Sequence, residues 1–158
     1  MDVIEAHSER YIDDVRAIFL EYAEWLGFDL HFQDFERELA RLPGEYSPPL
    51  GRLLLAAEGG QTVGCIALRE FAPRVCEMKR LYIRPAFRGR GVGRLLAERI
   101  ISEARAIGYE RMRLDTVPAM SAAINLYESL GFKDIEPYRH NPIEGARFME
   151  VVLTPGDA

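Results

Sequence analysis

Apolar side chains at Ile12, Val15, Ile18, Phe19, Tyr22 and Leu26 recur every three to four residues, the spacing that lines one face of an α-helix. Ser8 stands where an N-cap would and Gly27 where a left-handed stop would, so the pattern predicts a helix from just after Ser8 to about Leu26. A short strand over 2–6 precedes it. A second helix is predicted over about 32–42, ended by Pro43 and Gly44. The stretch 43–51, with three prolines and two glycines, reads as a loop.

Beyond residue 51 the period shortens. Residues 52–58, 62–71 and 75–83 read as three strands, punctuated by Gly59-Gly60 and by Pro73, which is a meander. Val92, Leu95, Leu96, Ile100, Ala104 and Ile107 then restore the helical period up to Gly108, and 111–116 returns to a strand. A strand, a helix and a strand in that order imply a right-handed parallel crossover. Pro118 opens another helix, expected to reach about Leu130 before Gly131. Two strands near 133–136 and 146–153, flanking a loop over 137–142, close the chain. These elements add up to an α/β (α+β) fold. It has a mixed sheet of six or seven strands, an antiparallel N-terminal meander joined to a parallel crossover, and about four helices.

The chain has 158 residues, 48% of them hydrophobic. That is one domain's worth, enough to bury roughly two-thirds of the unfolded surface. The N-terminus carries no basic leader, and no apolar run approaches the ~20 residues of a membrane span, so a soluble cytoplasmic protein without a membrane partner is expected. Cys65 and Cys76 lie in no metal-ligand or disulfide pattern, and no metal is expected. The net charge of −5 conceals an asymmetry: residues 77–99 hold seven basic side chains against two acids, so the rest of the chain is strongly acidic. A local basic patch in an acidic protein suits a small polyanion. Nucleic-acid duplexes usually require a broad basic face, and none is expected as a partner.

The centre of that patch is the run Arg88-Gly89-Arg90-Gly91-Val92-Gly93, between a strand and a helix. Glycines at 89, 91 and 93 remove side chains from the turn, so successive backbone N–H groups can point at one anion on the helix N-terminus. Arg88, Arg90 and Arg94 surround it with positive charge. The spacing separates the phosphate-binding alternatives. No Lys-Ser/Thr pair follows the glycines, which excludes a P-loop, and a dinucleotide fingerprint starting at Gly89 would need glycine where Arg94 stands.

What fits is R-x-x-G-x-G over Arg88 to Gly93, together with Ala123-Ile124-Asn125-Leu126-Tyr127-Glu128-Ser129-Leu130-Gly131-Phe132. The first resembles the pyrophosphate turn, and the second the A-x-x-x-Y-x-x-x-G-F segment, of the GNAT superfamily of acetyl-CoA-dependent N-acetyltransferases. The diagnostic motifs span 75–132, and the order of elements resembles the family from Met1 to Leu153. The resemblance implies acetyl-CoA as cosubstrate. Its pantetheine arm would lie along Leu81, Tyr82 and Ile83, and its pyrophosphate on Arg88, Gly89, Arg90, Gly91, Val92, Gly93 and Arg94. A gap between that strand and the strand at 111–116 would admit the arm. Arg94 fits a solvated helix face equally well. Many family members carry Asn seven residues before the Tyr; Met120 stands there, with Ser121 or Asn125 as substitutes.

Acetyl transfer to an amine needs a proton acceptor for the ammonium, an oxyanion donor and a proton for the leaving thiolate. Glu77, eleven residues before Arg88, matches the general-base position of some GNAT enzymes. It also fits a strand glutamate paired with Lys79 or Arg80. Tyr127 is the candidate general acid, since a phenol can donate without ionising on its own. The Leu81 N–H is the oxyanion donor by family position.

The family draws acceptor specificity from its N-terminal helices and the loop between its last strands, which implies Tyr22, Trp25, Phe28 and Phe32, with Tyr138, Arg139 and His140. The first fifty residues hold twelve acids and four bases, which points to a cationic acceptor. The resulting expectation is direct transfer to the primary amine of a small or amino-acid-like acceptor. The alternatives are a protein N-terminal or lysine acetyltransferase, or an acyl-CoA sensor without turnover. Homodimerisation is a habit of the family that no residue pattern here demonstrates.

Overall fold

The structure is a computed structural model and describes residues 1–27 and 34–153. In order the elements are β1 (Asp2–Glu5), α1 (Glu9–Leu26), α2 (Phe35–Arg41), β2 (Arg52–Glu58), β3 (Gln61–Ala72) and β4 (Val75–Ile83), then α3 (Val92–Ile107), β5 (Arg111–Thr116), α4 (Ser121–Ser129), β6 (Lys133–Asp134) and β7 (Arg147–Val152). The seven strands form one sheet in the order β1-β2-β3-β4-β5-β7-β6. Every neighbouring pair is antiparallel except β4 with β5, the parallel pair joined through α3. The expected mixed sheet and crossover are therefore present.

Strand periodicity explains why β2 reads as an almost unbroken apolar run. Leu54 and Ala56 face one core, with Leu96, Ala97 and Ile100 of α3, while Leu53 and Leu55 face a second core, with Val15, Ile18 and Phe19 of α1. Helices cover both sides of the sheet, so both sets of alternating side chains must be apolar. Gly27 ends α1 in the left-handed conformation, φ 73°. Ser8 takes the extended N-cap backbone, although its hydroxyl makes no capping hydrogen bond.

Two expected boundaries move. The helix expected from Pro118 begins with a 3-10 turn at Pro118–Met120, and α4 follows from Ser121. The sixth strand is confined to Lys133–Asp134, because the chain leaves the sheet at Pro137 to build the loop packed against β4 and β5. The expected start of the second helix, at residue 32, lies outside the described residues; its described part is α2.

Two departures from regular pairing shape the centre of the sheet. In the β3–β4 ladder, Ala67 pairs with Lys79 and Cys65 with Tyr82, so Ile66 alone opposes Arg80 and Leu81. This is a β-bulge, with Arg80 at φ 63°. On the other side, β4 and β5 pair only from Val75 with Arg111 to Glu77 with Arg113, and the strands then part.

The turn before α3 places Gly89 at φ 78° and Gly91, its N-cap, at φ 79°. Gly93 lies inside the helix, where an added methyl would meet only Leu126 and Ile83 at 3.6 and 3.9 Å. Gly91→Ala should therefore cost about 1–2 kcal/mol of stability in denaturant unfolding. Gly93→Ala should be neutral or stabilising by up to about 1 kcal/mol, because alanine is the better helix former.

Candidate active site

The glycine turn, the end of β4 and the start of α4 enclose a cleft of about 420 Å³. Its walls include Leu81, Tyr82 and Ile83 from β4, Arg88, Gly89, Gly91, Val92, Gly93 and Arg94 from the turn, and Met120 and Ser121 before and at the start of α4. Backbone N–H groups at the N-terminus of a 16-residue helix, in a turn that carries no Cβ at 89 and 91, form a natural anion seat. Arg88 is fixed above Trp25, its guanidinium carbon 4.7 Å from the ring centroid, and its Nε donates to the Ile83 carbonyl at 2.9 Å. Arg94 donates to the Ser129 hydroxyl.

The structure sorts the expected binding residues. Arg90 points away, pairing with Glu58 at 2.9 Å and lying over Phe87, so it is no part of the cleft wall. Asn125 is exposed and does not line the cleft, whereas Ser121 does; helical geometry turns position 125 outward when Tyr127 turns in. Trp25, expected at the acceptor, instead lines this first cleft and lies tilted against Tyr82, with ring centroids 6.0 Å apart, because α1 ends over the end of β4. His140 is exposed. Phe28 and Phe32 lie outside the described residues.

A second, narrower cleft opens where β4 and β5 part. Tyr22, Met78, Lys79, Arg80 and Leu81 line it on one side, with Leu114, Asp115, Thr116, Met120 and Tyr127 completing it. Leu81 and Met120 belong to both clefts, so the two adjoin at the bulge. Tyr127 is 5% exposed, and its hydroxyl makes no hydrogen bond among the described residues. Burial pushes its pKa well above the ordinary phenol range, so the proton stays on oxygen until a stronger base is beside it.

Glu77, the expected base, does not line this cleft. It is fully buried and its lone pairs are taken. Oε1 accepts from Arg69 at 2.8 and 2.9 Å, and Oε2 accepts from the Tyr138 hydroxyl at 2.8 Å and pairs with Arg139. Burial alone would raise its pKa, but the charges of Lys79, Arg139 and Arg69 outweigh that and hold it below 4.5. Such a carboxylate is a weak base at neutral pH and a strong anchor. Tyr138 and Arg139, expected to touch the acceptor, are what it anchors. The ring of Tyr138 packs edge-on to Phe71 and Phe148 at 4.9 and 5.1 Å, which pins the 137–142 loop to the sheet.

The carboxylate that does line the second cleft is Asp115, near the C-terminal end of β5 and with a side chain 6% exposed. Asn141 Nδ2 donates to its Oδ2 at 3.1 Å, and Arg139 Nη1 lies 3.7 Å from Oδ1. No sequence motif marks Asp115. The available signal was its place at the carboxyl end of the parallel strand, where open sheets bind ligands. Lys79 is 7% exposed on the opposite wall. Burial, then Arg80, push its pKa down to about 7, with Glu77 opposing and Arg69 and Arg139 adding to the fall. Among the described residues, no group of three His, Cys, Asp or Glu side chains could hold a metal ion.

A sequence model of the acetyltransferase (GNAT) family matches residues 12–132. An uncharacterized N-acetyltransferase of Schizosaccharomyces pombe is 43% identical over 145 residues, 90% of this chain and 89% of its own length. Among solved structures, a GNAT-family acetyltransferase of Staphylococcus aureus superposes with a TM-score of 0.80 at 19% identity, covering 96% of this chain and 98% of that one. A GNAT-family acetyltransferase of Elizabethkingia anophelis with acetyl-CoA bound has a TM-score of 0.55 at 22% identity, over 65% of this chain and 76% of that one.

Glu77→Gln should destabilise the fold by about 3 kcal/mol, since it leaves two half-buried guanidiniums facing a neutral amide. The pH dependence carries a matching sign. A carboxylate held below 4.5 in the fold contributes stability above that pH and loses it as pH falls through the folded value. Chemical denaturation of the variant should therefore show a shallower loss of stability below pH 4.5 than the unchanged protein does.

Proposed function

The chain belongs to the GNAT family of acetyltransferases, and from that premise we propose that it transfers acetyl directly from acetyl-CoA to the primary amine of a small acceptor. The supporting observation is the parting of β4 and β5, which sets Asp115, Tyr127 and the bulged Leu81 around one opening that adjoins the glycine-turn cleft.

Acetyl-CoA would supply an acetyl thioester, its pyrophosphate held by the turn from Arg88 to Gly93 and by Arg94, and its arm lying along Leu81, Tyr82 and Ile83. The chain supplies the rest. An amine with a pKa near 10 is almost wholly ammonium at pH 7 and cannot attack until it loses a proton. Asp115 Oδ is the acceptor that the cleft offers, directly or through a water. The Leu81 N–H, at the bulge, is the donor in this reading for an oxygen gaining negative charge. Tyr127 Oη then gives its proton to the departing sulfur. A phenol is protonated at neutral pH, which is the state this step needs.

Calorimetric titration with acetyl-CoA should give saturable binding near one equivalent. With an accepted amine, Tyr127→Phe and Asp115→Asn should each lower kcat on the order of 10²-fold while leaving the folded state intact. Folded protein that fails to bind acetyl-CoA would refute the reading. Full turnover in either variant would remove that residue from the chemistry.

A further inference from the structure

The last two turns of α1 close on one residue at the end of β4. Glu21 accepts from the Tyr82 hydroxyl at 2.9 Å, and the rings of Tyr22 and Trp25 lie 5.6 and 6.0 Å from the Tyr82 ring. The three side chains share one helix face, since positions three and four apart are neighbours on a helix. Tyr82 itself is buried in the core beneath α1. Trp25 therefore sits on a packed support, yet it is 39% exposed and lines the glycine-turn cleft.

What the ring holds there is Arg88. Trp25 and Tyr82 are inclined at 53° to each other, and the Arg88 guanidinium carbon lies 4.7 Å from the first ring centroid and 5.6 Å from the second. The negative faces of aromatic rings attract such a cation. The Nε–H donates to the Ile83 carbonyl at 2.9 Å, which fixes the guanidinium from its other edge. Its two Nη groups make no hydrogen bond or ion pair among the described residues. Arg90, by contrast, is paired with Glu58, and Arg94 donates to the Ser129 hydroxyl. Arg88 thus keeps a fork of N–H donors for a ligand while the rest of the side chain is already ordered. An arginine loses rotamer freedom when it closes on a phosphate, and a support that orders it beforehand removes that cost from binding.

We propose that Trp25 is a positioning residue of the coenzyme site: with Tyr82 it holds the Arg88 guanidinium ready for the pyrophosphate. This rests on the acetyltransferase reading above and adds to it a function for the end of α1. Trp25 thereby serves the coenzyme and not the acceptor.

Trp25 is the single tryptophan of the chain, so its emission reports on this one spot. Acetyl-CoA should change that emission saturably, with the same dissociation constant that calorimetry gives. In Trp25→Leu that constant should rise about tenfold, and in Trp25→Phe, which keeps a ring under the guanidinium, only about twofold. With Arg88→Met already present, adding Trp25→Leu should weaken binding no further, because the ring then has no cation to hold. Should Trp25→Leu not fold, the same cycle is run with Trp25→Phe, whose smaller loss should likewise vanish beside Arg88→Met. Emission that stays flat while calorimetry shows binding, undiminished affinity in Trp25→Leu, or a loss that persists in full in the Arg88→Met background would each overturn the proposal. Those outcomes leave acetyl-CoA binding, and with it the acetyltransferase reading, in place. Folded unchanged protein that binds no acetyl-CoA would instead fail the reading beneath, and the proposal with it.

Discussion

One extra residue in β4 sets up the site. Because Arg80 and Leu81 together oppose Ile66, the strand bends away from β5 after only three paired residues, and the sheet opens at its centre. A bulky side chain at φ 63° is costly, about 1–2 kcal/mol, and persists only where the surroundings over-determine it. Here the surroundings do so. The Arg80 guanidinium is locked to Glu38 from α2 and lies 5.3 Å from the centre of the Phe35 ring, and Cys65 donates to its carbonyl. The short helix α2 thus acts as a clamp on the bulge.

From that opening the two clefts acquire their separate characters. Towards the carboxyl end of β4 lie the glycine turn and the N-terminus of α3, and the chemistry there is that of backbone donors and arginines. Towards the α1 side lie Lys79, Arg80 and Asp115, desolvated and closely spaced along the strands. Tyr127 stands at the opening because α4 packs its aromatic face against the α3 core, with Phe132 5.6 Å away. The acid and base candidates, Tyr127 and Asp115, come from the consecutive elements α4 and β5, and the crossover sets both beside Leu81 of β4.

Behind the clefts, the cluster of Glu77, Arg69, Arg139 and Tyr138 supports the walls. It joins β3, β4 and the 137–142 loop through contacts that converge on the fully buried Glu77, with Arg69 and Arg139 half-buried around it. Buried ion pairs of this kind add little net stability over apolar packing, yet breaking one is expensive, and that makes them good fixtures for a loop that must stay in register. Glu45, which also reaches Arg69 at 2.7 Å, extends the cluster to the exposed edge.

Much of this was legible along the chain. The periods of two and near 3.6, the glycine stops and the strand–turn–helix setting of Arg88 to Gly93 placed every long element and the glycine turn, since those signals are local: each depends on residues within a turn or two. Tyr127 was legible through its motif, and the structure puts it on the lining of the second cleft. The role of Glu77 was not legible, because a strand glutamate reads alike whether it faces a substrate or two guanidiniums, and Arg69 and Arg139 are 8 and 62 positions away. Asp115 went unseen for the same reason, as its value comes from β5 ending beside a gap that a bulge in another strand creates. The sequence by itself determined the elements, the sheet's alternating faces and the phosphate-type turn. The tertiary structure decided which charges are paired and which line the opening, because desolvation and pairing are properties of neighbours in space.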